Sequence, residues 1–166
     1  MENSNREYAL LSLGSNIGDR IKYINDACDL LEVRGVMNNI TRSSFYETEP
    51  FGVKEQENFI NIALAGFTDL SVFALLAACK TIELELGRQH RERWHEREID
   101  IDIIIYGNEV IHSDKLIVPH PFMNKRKFVL IPATEIAAKA KDPLSCKTLA
   151  ELLQECEDES DVYKLN

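Results

Sequence analysis

The sequence predicts an α+β fold with a ferredoxin-like βαββαβ core: an antiparallel sheet with its helices on one face, plus a C-terminal hairpin and short helices. Three observations carry this expectation. Residues 18–34 and 71–86 place apolar side chains at three- and four-residue intervals, the spacing of one helix face. Short β-branched and aromatic runs lie before, between and after them, in the order β-α-β-β-α-β. The 166 residues carry no repeat and no low-complexity linker, so one domain over 1–166 is expected.

Each element has a local reason. YALLSL at 8–13 reads as a strand, ending at Gly14-Ser15-Asn16. In the first helix the stripe is Ile21, Ile24, Cys28 and Leu31; Asp19 suits its N-terminus and Gly35 its end. NITRSSFYET at 39–48 makes a second strand. A loop punctuated by Pro50 and Gly52 leads to a third strand over 58–67, paired with the second. The second helix has Val72, Leu75, Cys79, Ile82 and Leu86 on one face, with Gly87 closing it. The fourth strand spans 98–106. Residues 107–119 form a hairpin, and PHPFMNKRKFVLIPATEIA gives a rigid turn and a short helix. A last helix near 148–156 runs into an acidic end, about 155–166, expected to be a solvated tail.

Composition narrows the function. With 45% hydrophobic and 28% charged residues the chain is an ordinary globular one. Its N-terminal apolar run is too short for a signal peptide or a membrane span, so a cytoplasmic protein is expected. Cys28, Cys79, Cys146 and Cys156 are too scattered for a disulfide framework or a cysteine metal site. A net charge of −9 argues against a nucleic-acid binder. Against that background RQHRERWHER, 88–97, sets four arginines against two glutamates, which suits a small anionic ligand.

The strand after this basic loop contains Asp100 and Asp102 among five isoleucines. Alternation puts both carboxylates on one face, their stems about 7 Å apart. Desolvated carboxylates need compensation. Paired arginines would supply it, and so would magnesium, which takes one or two carboxylates and fills its shell with water and phosphate oxygens. Acids for a metal beside guanidinium groups for phosphate oxygens are what a nucleoside triphosphate requires. LGSNIGDR lacks the ending of a P-loop, so an ATP site here is of another kind. Trp94, inside the basic loop, suits a mobile cover or stacking surface. His120, between two prolines and followed by Asn124, Lys125, Arg126 and Lys127, marks a second phosphate-facing patch.

LGSNIGDR, SSFYETEPFG with Phe59-Ile60-Asn61, GRQHRERWHEREIDIDI and VPHPFMNKRKFVL occur in this order, and over about residues 8–136 the chain resembles the 6-hydroxymethyl-7,8-dihydropterin pyrophosphokinases of the folate pathway. The resemblance implies transfer of a pyrophosphoryl group from MgATP to the pterin's hydroxymethyl oxygen, releasing AMP, with two Mg2+ ions held by Asp100 and Asp102. It implies that Arg88, Arg93, Arg97 and Trp94 belong to a mobile catalytic loop. Glu83, Arg91, Arg93, Arg97, Ile103, Lys115, His120 and Arg126 match ATP contacts. For the pterin it implies stacking between Phe59 and Phe128, edge pairing by Asn61, and contacts from Thr48 to Phe51.

Several positions depart from the family pattern: Glu49, Phe51, Phe59, Ile117 and Pro121. The basic loop is one residue shorter than in well-known bacterial members, leaving Gln89, His90 and Arg91 as alternatives for its inner arginine position. Two further readings stay open: the same MgATP site acting on another acceptor, and a ferredoxin-like module that binds a nucleotide without chemistry. The expected partners are ATP and the pterin, with no nucleic acid or membrane, and the expected state is a monomer.

Overall fold

Strand β1, Glu7–Ser15, is nearly all apolar or small because it lies inside the sheet and is covered on both faces. The structure is a computed structural model and describes residues 6–50, 55–92 and 95–166. Helix α1, Arg20–Val33, starts where the Asp19 side chain accepts from the Lys22 N–H at 3.0 Å. It ends before Gly35, which takes φ 65°. Its buried face is Ile24, Ala27, Cys28 and Leu31. Ile21 falls one turn short of the sheet's cover and stays 41% exposed, contrary to its place in the expected stripe.

The single strand expected over 39–48 is two: β2, Asn38–Arg42, and β3, Tyr46–Thr48. Both pair antiparallel with β4, Phe59–Thr68. The break has a side-chain cause. The Ser43 N–H still donates to the Ala63 carbonyl at 3.0 Å, but the Ala63 N–H donates at 2.9 Å to Ser43 Oγ, which in turn donates to the Ser44 carbonyl at 2.8 Å, so a side chain takes one place in the ladder. Helix α2, Val72–Glu85, is capped by Ser71 and ends at Gly87, φ 93°. Strand β5, Asp100–Tyr106, follows. The expected hairpin is present as β6, Ile111–His112, and β7, Ile117–Val118. A 3-10 turn, Met123–Lys125, leads into α3, Lys127–Ala137. Helix α4, Leu149–Glu155, opens with a capping box between Thr148 and Glu151.

The acidic end is largely exposed, as expected, but its last residues are not a free tail. Val162–Lys164 form a strand, β8, antiparallel to β3, and the Leu165 N–H donates to the Phe45 carbonyl at 2.9 Å. β-branched Val162 and aromatic Tyr163 favour pairing once β3 offers a free edge.

The main sheet runs β5-β1-β4-β3-β8, with β2 also on β4. One face packs on α1 and α2 through Ala9, Leu11, Leu13, Ile60, Ile62, Leu64, Ile101 and Ile103. The other face, through Leu10, Ala63, Ala65 and Ile104, is covered by α3 and α4. The first two helices therefore share a face, as expected, while the C-terminal helices close the opposite one. Each fully buried leucine or isoleucine contributes about 1.5–3 kcal/mol. That leaves polar side chains on the α3 face conspicuous, since they give this contribution up.

Candidate active site

Sheet register assembles those polar side chains. Gly14 of β1 lies opposite Asp100 of β5 on one side and Asn61 of β4 on the other, and Asn61 lies opposite Tyr46 of β3. Residues directly opposite share a face, so Asp100 and Asn61 point the same way, two strands or about 10 Å apart. Gly14 keeps the space between them open. A Cβ there would lie 2.7 Å from Asn61 Oδ1 and 3.7 Å from Phe59 Cδ1. Asn61 Nδ2 donates to Thr48 Oγ1 at 3.0 Å, which fixes the amide from the far strand. Thr48, Phe59 and Asn61 are thus one cluster.

The two aspartates sit in unlike surroundings. Asp100 Oδ1 accepts from Arg88 at 2.8 Å and Oδ2 from Arg97 at 2.5 Å. Burial opposes its charge, but the Arg97 and Arg88 guanidinium groups outweigh burial and hold its carboxyl below the usual range. Asp102 receives no hydrogen bond or ion pair from the described residues. Burial first, then the charge of Asp100, push its carboxyl up to about 7. Glu83, 1% exposed, ties α2 to β5: Oε1 accepts from the Ile101 N–H at 2.7 Å and from Lys80 Nζ at 2.9 Å, while Arg88 pairs with Oε2. Arg88 thus bridges Glu83 and Asp100.

No cluster of three or more metal-ligating side chains forms among the described residues. The donor set is the aspartate pair alone. One member is held only by guanidinium groups, which phosphate would also attract; the other has no partner among the described residues. That set fits a hard cation whose remaining ligands are water and phosphate oxygens.

Asn16, completely buried, locks the base of the arginine segment. Its N–H donates to the Arg97 carbonyl at 3.1 Å, and its Oδ1 accepts from the Arg97 N–H at 2.8 Å. Its Nδ2 donates to Gln56 Oε1 at 3.0 Å, across from the other loop. A cleft of about 560 Å³ opens beside it, lined by Asn16, Ile17, Glu55, Gln56, Glu57 and Glu96. Arg91 is turned away from the aspartates and grips Glu98 with two nitrogens, at 2.6 and 2.9 Å.

The β6–β7 turn and the stretch after it bring Lys115, a neutral His120 and Arg126 to the β5 side of the sheet. The His120 N–H donates to the Ile104 carbonyl at 2.9 Å, anchoring the turn on β5. His120 Nδ1 accepts from the Phe122 N–H at 3.2 Å, which requires a neutral ring. Burial, and then the charge of Arg126, push the imidazole down to about 4, with Asp100 opposing them. The Arg126 guanidinium lies 5.0 Å from the Phe122 ring and 5.6 Å from that of Phe128. Lys115 is exposed on the β6–β7 turn and makes no hydrogen bond or ion pair among the described residues. Ile103 is 3% exposed and its side chain faces the α1/α2 core, so that side chain is not available to a ligand. Phe51, Arg93 and Trp94 lie outside the described residues.

Sequence reasoning passed over three contributors: Gly14, Lys80 and the locking role of Asn16. A glycine inside an apolar strand was the available signal for Gly14, because it marks a close approach. For Lys80 the signal was its i,i+3 spacing to Glu83 on α2; Asn16 gave none, since its partners Arg97 and Gln56 are distant in sequence.

Structures of similar fold exist. A Plasmodium falciparum HPPK-DHPS structure, wild type with STZ-DHP, superposes with a TM-score of 0.73 over 93% of this chain and 44% of that one, at 15% identity. An HPPK-DHPS solved in complex with substrates gives 0.69, covering 90% of this chain and 43% of that one, also at 15% identity. The chain thus spans under half the length of those proteins and shares the fold of one part of each. In sequence it is 43% identical over 141 residues to the 2-amino-4-hydroxy-6-hydroxymethyldihydropteridine pyrophosphokinase of Bacillus subtilis, covering 84% of both chains. It is equally similar to the Aquifex aeolicus protein of that name, at 43% over 145 residues, covering 87% of this chain and 89% of that one. A sequence model of the 7,8-dihydro-6-hydroxymethylpterin-pyrophosphokinase (HPPK) family matches residues 10–138, and the chain belongs to that family.

Proposed function

We propose that this protein transfers a diphosphate group from ATP to the hydroxymethyl oxygen of 6-hydroxymethyl-7,8-dihydropterin, releasing AMP, in folate biosynthesis. The observation that supports the reading most is the register Asp100–Gly14–Asn61, which sets Asp100 and its two arginines about 10 Å from the Asn61 amide on one sheet face. That separation suits two substrates meeting between the pockets. Such a transfer asks mainly for positioning and charge neutralisation.

Asp100 and Asp102 would hold Mg2+, two ions in this reading, and the metal supplies neutralisation of the phosphate oxygens. Before that, Arg88 and Arg97 must release Asp100 and turn to the phosphates, an exchange of one anionic partner for another. Arg93 and Trp94 would join them from the loop, with Arg91 freed from Glu98. His120, Arg126, Lys115 and Ile103 would bind the nucleotide, and Glu83, through the Ile101 N–H, would hold β5 against α2. The pterin would stack between Phe59 and Phe128, pair its edge with Asn61, and touch Thr48 and Phe51. We place the protein in the cytoplasm as a monomer acting as one domain over 1–166. No helix among the described residues is long and apolar enough to cross a membrane.

The test is product analysis with ATP, Mg2+ and the pterin, resolving AMP from ADP. Pterin-dependent AMP is expected. ADP in its place, or no nucleotide product at all, refutes the reading.

A further inference from the structure

The C-terminal segment 158–165 touches both walls of the pocket assigned above to the pterin. On one side, α3 begins at Lys127 with no side-chain cap from its own N-cap residue, Arg126. The orphan N–H of Lys127 donates instead to Asp158 Oδ2 at 2.8 Å, a carboxylate thirty-one residues away in the chain. The other oxygen, Oδ1, accepts from the Ser160 N–H at 2.9 Å, so the carboxylate is held in one orientation. Burial works against its charge, but these N–H donors prevail and hold it below the usual range. Phe128 follows Lys127 directly.

On the other side, β8 pairs with β3 in the register Thr48↔Val162, Glu47↔Tyr163 and Tyr46↔Lys164. Thr48 is the acceptor that fixes the Asn61 amide. Two more ties close the loop back to α3. Glu135 of that helix accepts from Tyr46 Oη and from Ser44 Oγ, and Lys164 Nζ stands 3.8 Å from Glu135 Oε1. Eight residues thus link the helix end carrying Phe128 to the strand carrying Thr48.

We propose that this segment is a strap setting the width of the pterin site, with Asp158 as a positioning residue for Phe128. The inference rests on the pterin reading of that pocket. Asp158 touches neither substrate; it fixes the first turn of α3, and through it the aromatic face opposite Phe59. The nucleotide side is less dependent on it, because Arg126 also lies over the nearer Phe122 ring, at 5.0 Å, and Arg88 and Arg97 sit on the β5 side, away from α3.

The experiment compares the full chain with Asp158→Ala, Asp158→Asn and the exposed neighbour Glu159→Ala. It measures pterin affinity in the presence of a non-hydrolysable MgATP analogue, affinity for the analogue alone, and melting temperature. Losing a cap should weaken pterin binding about fivefold in Asp158→Ala. Affinity for the analogue should stay within about twofold, because the perturbation lies on the pterin side. Asparagine caps nearly as well, so Asp158→Asn should recover most of the affinity, and Glu159→Ala should match the wild type. If Asp158→Ala fails to fold, Lys127→Pro removes the same bond from the donor side at a position that tolerates proline, and should weaken pterin binding likewise. Unchanged pterin affinity overturns the strap. So does a parallel loss of both ligands that tracks the fall in melting temperature. Asp158→Asn as weak as Asp158→Ala overturns the capping role. A wild-type protein that binds no pterin and makes no AMP refutes the proposed function and this inference with it, whereas wild-type activity with an unaltered Asp158→Ala refutes only the strap.

Discussion

Gly14→Ala places a single methyl group at the junction of the two pockets. Its Cβ would stand 2.7 Å from Asn61 Oδ1, where ordinary contact begins at 3.4 Å, so the amide must retreat by about 0.7 Å. Asn61 is 4% exposed and its Nδ2 is committed to Thr48 Oγ1 at 3.0 Å. Oxygen and nitrogen share one rigid plane, so moving the first disturbs the second. A strained or broken buried hydrogen bond costs about 1–3 kcal/mol. Expressed on the pterin, which needs that amide in place, this is a rise of roughly 5- to 150-fold in pterin KM. Fold stability should fall by less, about 0–2.5 kcal/mol, because replacing a strand glycine recovers about 0.5–1 kcal/mol of chain entropy. Nucleotide affinity should hold, since the Arg88 and Arg97 contacts lie beyond β1 on the β5 side. The assay is steady-state AMP formation with each substrate varied in turn, beside a thermal melt. A pterin KM within twofold of wild type refutes the reasoning, as does an equal rise in both KM values.

Asp102→Asn should abolish turnover yet stabilise the metal-free fold at alkaline pH. A carboxyl raised to about 7 in the folded state favours folding below its unfolded value near 4, and that advantage is lost as pH rises through 7. Melts in EDTA should show the variant gaining on wild type at pH 8 and not at pH 4; equal gains at both would contradict the assignment. His120 has the opposite sign. Its folded value of about 4 lies below the unfolded 6.5, so its contribution is whole above 6.5 and fades as pH falls toward 4. Its imidazole NMR resonances should stay flat from pH 8 to 5, and a midpoint near 6.5 would show the ring exposed. Asn16→Ala removes the acceptor of the Arg97 N–H and the donor to Gln56, and should cost about 1–3 kcal/mol in denaturant unfolding. A loss under about 0.5 kcal/mol would mean that water replaces the amide.

Much of the molecule is legible in one dimension because its causes are local. Helical spacing placed α1 and α2, and Asp19, Gly35 and Gly87 marked three of their four ends, since caps act within a few residues of themselves. Asp100 and Asp102 stood out because a carboxylate in an isoleucine strand demands an explanation, and the arginines that answer it for Asp100 are near in sequence. Tertiary structure decided the rest. The break between β2 and β3 depends on Ser43 meeting Ala63 of another strand, and β8 exists only because β3 presents a free edge. Which aspartate is paired and which is not, and that Gly14 stands between Asp100 and Asn61, follow from sheet register. Register is a relation between strands, set when their apolar faces are buried together, and no single stretch of sequence contains it.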